Sequence, residues 1–162
     1  MAITTGCNMA FLILLMVLCP PGSSVLLPLP SYFSHTMSLS LQSLKPVYIP
    51  GDPSHHFAPS LAAAREYLSD RKGENPRMIS LVSPNNPTGA VYSPEELKEW
   101  YDLAKEFKVA LVVDETYRDF VGGPDGGVGR PHRLFEEEDW RGTLVSLGSF
   151  SSGYYYLDHS GR

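Results

Sequence analysis

The residues best suited to bind a ligand follow three short apolar segments of the chain. Ser83–Gly89 (SPNNPTG) contains two amides, Asp114–Tyr117 (DETY) begins with a carboxylate, and Ser149–Ser151 (SFS) supplies two hydroxyls. If the apolar segments are parallel strands, these groups meet at the carboxyl edge of one sheet, where open α/β sheets bind ligands. Each segment alone also fits ordinary structure, because Asn, Pro and Gly form turns while Asp and Ser cap helices.

The elements that position these groups are predicted to be strands alternating with helices. Short apolar runs predict strands over Val25–Pro28, Lys45–Pro50, Met78–Val82, Val109–Val113 and Leu144–Gly148. Helical spacing predicts helices over Ala10–Cys19, Ser31–Leu41, Ser60–Leu68 and Ser93–Ala104, with Ser60 and Ser93 as N-caps. Strands that are apolar on both faces and alternate with helices predict an α/β fold, a three-layer, mostly parallel sheet with helices on both faces.

Composition excludes several classes of protein. The chain has 162 residues, with 13 Lys+Arg against 18 Asp+Glu and a net charge of −5. It contains no basic tract, so neither nucleic acid nor an anionic membrane surface is an expected partner. The two cysteines form no disulfide framework, and neither they nor the five histidines show metal-ligand spacing, so we expect a reducing compartment and no metal.

The apolar run Ala10–Cys19 (AFLILLMVLC) has two interpretations. It is long enough for the core of a signal peptide, although a membrane span needs about 20 apolar residues. A signal peptide carries positive charge before its apolar core, whereas the first Lys or Arg of this chain is Lys45. We therefore favour a buried helix of a cytoplasmic protein over a secretory signal.

In their order and spacing, these segments resemble the class I/II aminotransferases, which are pyridoxal-phosphate (PLP) enzymes of fold type I. Family members carry Asn-Pro-Thr-Gly, here residues 86–89, and then a strand that ends in Asp with Tyr three residues later, here Asp114 and Tyr117. A Ser-x-Ser-Lys segment follows in the family. Upstream, residues 5–10 (TGCNMA) look like the phosphate-binding turn. The resemblance covers about residues 3–152 and implies the cofactor PLP.

The resemblance also assigns residues to the cofactor ring. Asp114 would pair with the pyridinium nitrogen and keep it protonated, so that the ring can accept electrons. Tyr32 would cover one face of the ring. Asn86 and Tyr117 would donate hydrogen bonds to its phenolate oxygen.

A second group of residues would hold the phosphate. Gly6, Cys7 and Asn8 open a predicted helix, where free N–H groups and the helix dipole attract a dianion. Ser149 and Ser151 match family positions that help to bind the same phosphate.

The family's catalytic lysine is absent. That lysine follows Ser-x-Ser, forms the covalent imine with PLP and moves the proton during catalysis, but Ser152 occupies its position here. Residues 153–162 also depart from the family pattern. We therefore expect residues 1–152 to be the central part of a truncated PLP-binding large domain, and 153–162 to be a divergent tail.

Three functions remain possible at this point. The first is an aminotransferase segment, whose family transfers an amino group between an amino acid and a 2-oxo acid and forms homodimers; related PLP lyases and synthases share its motifs. The second is a non-catalytic chain that binds PLP or pairs with a full-length subunit. The third is a secreted α/β binding protein. Because of Ser152, we expect the chain alone to be inactive.

Overall fold

A computed structural model describes residues 1–70, 74–121 and 131–151. The described residues form four α-helices: α1 (Cys7–Leu18), α2 (Phe33–Leu41), α3 (Leu61–Asp70) and α4 (Pro94–Phe107). They also form seven strands: β1 (Ser23–Pro28), β2 (Lys45–Ile49), β3 (Gly51–Asp52), β4 (Ala58–Pro59), β5 (Asn75–Val82), β6 (Ala110–Asp114) and β7 (Leu144–Leu147). Every strand and helix predicted from the sequence is present, with ends shifted by a few residues.

Five strands form one parallel sheet in the order β2-β1-β5-β6-β7. The register places Val82 beside Asp114, and Asp114 beside Leu147. The last residues of β5, β6 and β7 therefore lie in one row, and the three polar segments that follow them emerge at the same edge. This arrangement confirms the predicted parallel sheet.

Helices cover both faces of the sheet, as the α/β prediction requires. Leu111 and Val113 of β6 belong to an apolar core shared with α3 and α4. Val112, between them, belongs to a second core shared with α1 and α2. Alternate residues of one strand thus face opposite helical layers, which explains why the strands read as continuous apolar runs.

The predicted helix caps are formed. Ser93 Oγ accepts a hydrogen bond from the Glu96 amide at 3.1 Å, and the Ser93 amide donates to the Glu96 carboxylate at 2.7 Å. This reciprocal capping box, with Pro94 in the first turn, starts α4. Ser60 Oγ likewise accepts from the Ala63 amide at 3.2 Å.

Helix α1 is only partly buried, which corrects the expectation of a buried helix. Phe11 and Leu15 are fully buried against the sheet, but Met16 and Val17 are 64% and 72% exposed. Within the described residues the sheet lies against one side of the helix, so the apolar run does not imply burial all round. Among these residues, no helix is long and apolar enough to cross a membrane.

The hairpin of β3 and β4 was not predicted from the sequence. The two strands pair antiparallel through two residues each. Gly51 is required there by close approach of the backbone, because a Cβ at this position would lie 2.7 Å from the Phe57 carbonyl oxygen.

Candidate functional site

A buried carboxylate lies at the carboxyl edge of the sheet. Asp114, the last residue of β6, is 3% exposed. Its Oδ1 accepts hydrogen bonds from the Thr116 hydroxyl at 2.6 Å and the Thr116 amide at 3.0 Å. Its Oδ2 lies 3.2 Å from His35 Nε2. We refer to His35, Asp114 and Thr116 as the carboxylate cluster.

The carboxylate cluster keeps Asp114 ionised at neutral pH. Burial by itself raises the pKa of this carboxyl group, but the hydrogen bonds from His35 and Thr116 outweigh it and the pKa is lowered overall. The neighbouring Cys7 thiol lies 3.6 Å from Asp114 Oδ1. Burial and the charge of Asp114 raise the pKa of Cys7 to about 11, so this side chain stays a neutral thiol.

His35 is the member of this cluster that sequence reasoning missed. It lies in α2, is 2% exposed and stacks on Phe11 with ring centroids 3.8 Å apart. Its Nδ1 lies 3.4 Å from the Ser80 hydroxyl. The spacing of the histidines along the chain gives no indication of its role, because His35 contacts a carboxylate rather than a metal. The available signal was its position three residues after Tyr32, which places both side chains on one side of a helix start.

An open cleft of about 270 Å³ adjoins the carboxylate cluster. Three elements converge on it: the start of α1, the start of α2 and the edge formed by β6 and β7. Its lining includes eight of the residues predicted from the sequence, which are Gly6, Cys7, Asn8, Tyr32, Asp114, Tyr117, Ser149 and Ser151. The fold thus gathers residues that are up to 145 positions apart, from 6 to 151, around one space.

One end of the cleft is built from backbone amides and hydroxyls. Helix α1 begins after Gly6, which has φ +91° and ψ 161°, and no side chain caps its first turn. Ser149 and Ser151 stand opposite, with their hydroxyl oxygens 3.1 Å apart. We call Gly6, Cys7, Asn8, Ser149 and Ser151 the anion cluster, because free amides at a helix start attract negative charge.

Asn86 contacts a residue that lines the cleft. Its Nδ2 donates to the Tyr117 hydroxyl at 3.5 Å, and Tyr117 lines the cleft. The structure therefore brings together two residues that the family resemblance assigns to the phenolate oxygen of PLP. Ser152, at the lysine position, and the tail 153–162 lie outside the described residues.

Comparisons with known proteins identify the family of this chain. The model of aminotransferase class I and II matches residues 1–154. A probable aspartate/prephenate aminotransferase of Aquifex aeolicus is 32% identical over 94% of this chain and 37% of its own length. A human protein named as a probable inactive 1-aminocyclopropane-1-carboxylate synthase-like protein 2 is 32% identical over 71% of this chain and 22% of its own length.

Solved structures give the same result. An aromatic aminotransferase from Pyrococcus horikoshii superposes with a TM-score of 0.76 and 27% identity, over 90% of this chain and 37% of that chain. This chain thus spans 22–37% of the length of the relatives described here. The matched residues include all three polar segments and the cleft, and the chain belongs to the aminotransferase class I and II family, whose members use pyridoxal phosphate.

Proposed function

We propose that this chain binds PLP without a covalent bond and does not catalyse amino transfer on its own. One observation carries the binding proposal: an ionised, buried Asp114 lines an open cleft that is also lined by the anion cluster. The loss of catalysis follows from Ser152, because a hydroxyl cannot form an imine or replace the lysine as a base.

The residues present fit PLP at both of its ends. A protonated ring nitrogen is cationic, and Asp114 offers a carboxylate whose orientation is fixed by His35 and Thr116. A phosphate is dianionic and suits the amides after Gly6. A Cβ built on Gly6 would meet nothing within 4 Å, so there is open space beside these amides.

The remaining cleft residues would orient the ring. Tyr32 lines the cleft and can pack against one ring face, which stabilises an aromatic ligand through buried contact area. Tyr117, held by Asn86, can donate a hydrogen bond to the ring oxygen. When bound, PLP withdraws electrons from the atoms attached to it, and Asp114 supports this by holding a proton at the ring nitrogen.

Amino transfer between an amino acid and a 2-oxo acid is proposed for a protein that has the lysine and the rest of the fold. The Aquifex relative is named for such a reaction, and the human relative is named as probably inactive. For this chain, we propose that residues 1–152 form part of the large PLP-binding domain and that 153–162 diverge from it.

A trapping experiment tests both parts of this proposal. The wild-type chain, Ser152→Lys and Ser69→Lys are incubated with PLP and then reduced with borohydride. Ser69 is exposed on α3 and controls for nonspecific reaction of an added lysine. We expect reversible PLP binding by all three chains in equilibrium dialysis, and a single reduced adduct at position 152 in Ser152→Lys alone.

Two results would refute the proposal. A defined reduced adduct or measurable transamination in the wild-type chain would show that Ser152 does not prevent covalent chemistry. The second result is an absence of reversible PLP binding by the wild-type chain, at concentrations at which free lysine alone does not bind PLP. It would show that the cleft is not a cofactor site.

We also propose that α1 remains part of the mature, cytoplasmic protein. Phe11 and Leu15 of α1 are fully buried in the core, and Cys7 lines the cleft, so removing this helix would open both. Mass spectrometry of the natural protein should find an N-terminus before Gly6. An N-terminus near Ser24 would instead establish a cleaved signal.

A further inference from the structure

Glu115 is a buried carboxyl group that the proposed cofactor site does not use. It directly follows Asp114 and is also 3% exposed. Asp114 contacts His35 of α2 and Cys7 of α1, whereas Glu115 contacts Ser146 of β7 and faces His132. The two adjacent carboxyl groups therefore have separate sets of partners, and the partners of Glu115 indicate a role different from that of Asp114.

Three hydrogen bonds join Glu115 to the end of β7 and to the turn that carries Tyr117. The Ser146 hydroxyl donates to Glu115 Oε2. The Glu115 amide donates to the Leu147 carbonyl at 2.8 Å, and the Arg118 amide donates to the Glu115 carbonyl at 3.0 Å. Side chain and backbone together thus connect β6, β7 and the turn.

His132 faces the second carboxylate oxygen. Its Nδ1 accepts a hydrogen bond from the Leu134 amide at 3.2 Å, so the proton of the neutral ring lies on Nε2. Nε2 is 3.5 Å from Glu115 Oε1, and within the described ranges both atoms are buried with no hydrogen-bond partner. Each atom is the complement of the other, an N–H donor beside a carboxylate acceptor.

The segment that carries His132 is itself fixed to the core. His132 is 8% exposed and Leu134 is 3% exposed, and Leu134 packs with the residues of α4. The His132 ring therefore has little freedom to turn away from Glu115. Through Ser146 and His132, Glu115 links the end of the sheet to a rigid part of the core.

We propose that Glu115 is a positioning residue that fixes the distance between Asp114 and Ser149. Asp114 precedes Glu115, and Ser149 follows Leu147 by two residues, so the hydrogen bonds of Glu115 join the segment that carries Asp114 to the segment that carries Ser149. PLP carries a ring nitrogen and, on a short arm at another ring carbon, a phosphate, so it reaches both groups only when their separation suits its length. This inference rests on the proposed cofactor site, and it assigns to Glu115 the spacing of that site's two ends.

The test compares Glu115→Ala with the conservative Glu115→Gln in the full chain. Gln keeps the size of the side chain, and its amide can still accept from His132 and donate to Ser146, whereas Ala loses both contacts. Glu106→Ala is the matched control, because Glu106 is half-exposed and pairs with Arg65 away from the cleft.

The first measurement is hydrogen exchange without any ligand. We expect amides of residues 115–118 and 144–149 to exchange about tenfold faster in Glu115→Ala, with recovery in Glu115→Gln and no change in α3. If Glu115→Ala does not fold, Ser146→Ala should give a smaller effect at the same amides. Unchanged exchange there, or faster exchange throughout the chain that Gln does not restore, would overturn the proposal.

The second measurement compares ligands that span the cleft with ligands that do not. Glu115→Ala should weaken PLP binding about tenfold, but pyridoxal and inorganic phosphate less than twofold, because each of these fills only one end. Equal losses for PLP and pyridoxal would contradict a spacing role. If the wild-type chain binds no PLP but the exchange result holds, the proposed cofactor function fails while the structural link through Glu115 stands.

Discussion

The two ends of the cleft are built in different ways. The carboxylate cluster is built around buried side chains. His35 is 2% exposed and Asp114 is 3% exposed. In the anion cluster, Gly6, Asn8 and Ser151 are exposed, and the binding groups include backbone amides. The carboxylate cluster is thus fixed by hydrogen bonds to the Asp114 side chain, and the anion cluster by the conformation of the backbone.

This difference determines where substitutions should act. Removing a buried partner leaves a charged group without compensation, which costs folding free energy as well as ligand affinity. Removing an exposed hydroxyl costs affinity alone.

His35→Ala should lower the free energy of unfolding by about 2–4 kcal/mol, because Asp114 Oδ2 loses a buried hydrogen-bond partner and the contact with Phe11 is lost. Urea unfolding measures this. Glu66→Ala, at an exposed position on α3, is the control and should change stability by less than about 0.5 kcal/mol. Equal effects of the two substitutions would mean that the carboxylate cluster does not stabilise the fold.

Gly6→Ala should destabilise the chain by about 1–3 kcal/mol, because φ +91° with ψ 161° is a conformation that only glycine adopts without strain. Gly142→Ala is the matched control, since a Cβ there also meets nothing within 4 Å and its φ is ordinary. If Gly6→Ala and Gly142→Ala have the same free energy of unfolding, the turn at Gly6 adopts another conformation without cost. The backbone of the anion cluster would then not be fixed.

Acid should remove part of the stability that Asp114 provides. Its pKa is lowered in the folded chain, so near pH 4 the unfolded chain binds more protons, and this contribution is lost as pH falls through the folded pKa. The free energy of unfolding should therefore depend less on pH below about 5 in Asp114→Asn, with Thr116→Val intermediate. An unchanged pH dependence in Asp114→Asn would contradict the assigned direction of the shift.

Ser149→Ala and Ser151→Ala should have the smallest effects. Each should weaken PLP binding by about two- to fivefold, since an exposed hydrogen bond contributes about 0.5–1 kcal/mol, and neither should change pyridoxal binding. Fluorescence titration with both ligands checks this. A loss of more than about 30-fold in PLP affinity would mean that these hydroxyls, rather than the backbone amides, dominate phosphate binding.

The sequence was sufficient to predict the sheet and the residues at its edge. Asp114 could be placed because it ends an apolar strand, and the parallel register then brings it level with Val82 and Leu147. The helix cap at Ser93 depends on residues only three positions apart, so it too could be predicted from the sequence. Local patterns therefore predicted the four helices and the strands of the five-stranded sheet, although not the β3–β4 hairpin.

Other features depend on how elements pack, which local patterns do not contain. His35 becomes part of the site because its side chain on α2 reaches Asp114 at the end of β6, and Glu115 is buried because His132 and Ser146 lie against it. The exposure of Met16 follows from one-sided packing of α1. Each of these required the three-dimensional arrangement of distant segments.

In the proposed site, Asp114 holds the ring of a bound cofactor. Equilibrium dialysis of PLP with the wild-type chain, Asp114→Asn and Asp102→Asn tests it most directly, because Asp102 is exposed on α4 and lies outside the cleft. We predict that Asp114→Asn weakens PLP binding about 10- to 100-fold, as expected for the loss of a charge-assisted hydrogen bond, while Asp102→Asn binds like the wild type. Equal affinity of Asp114→Asn and the wild-type chain would contradict the account.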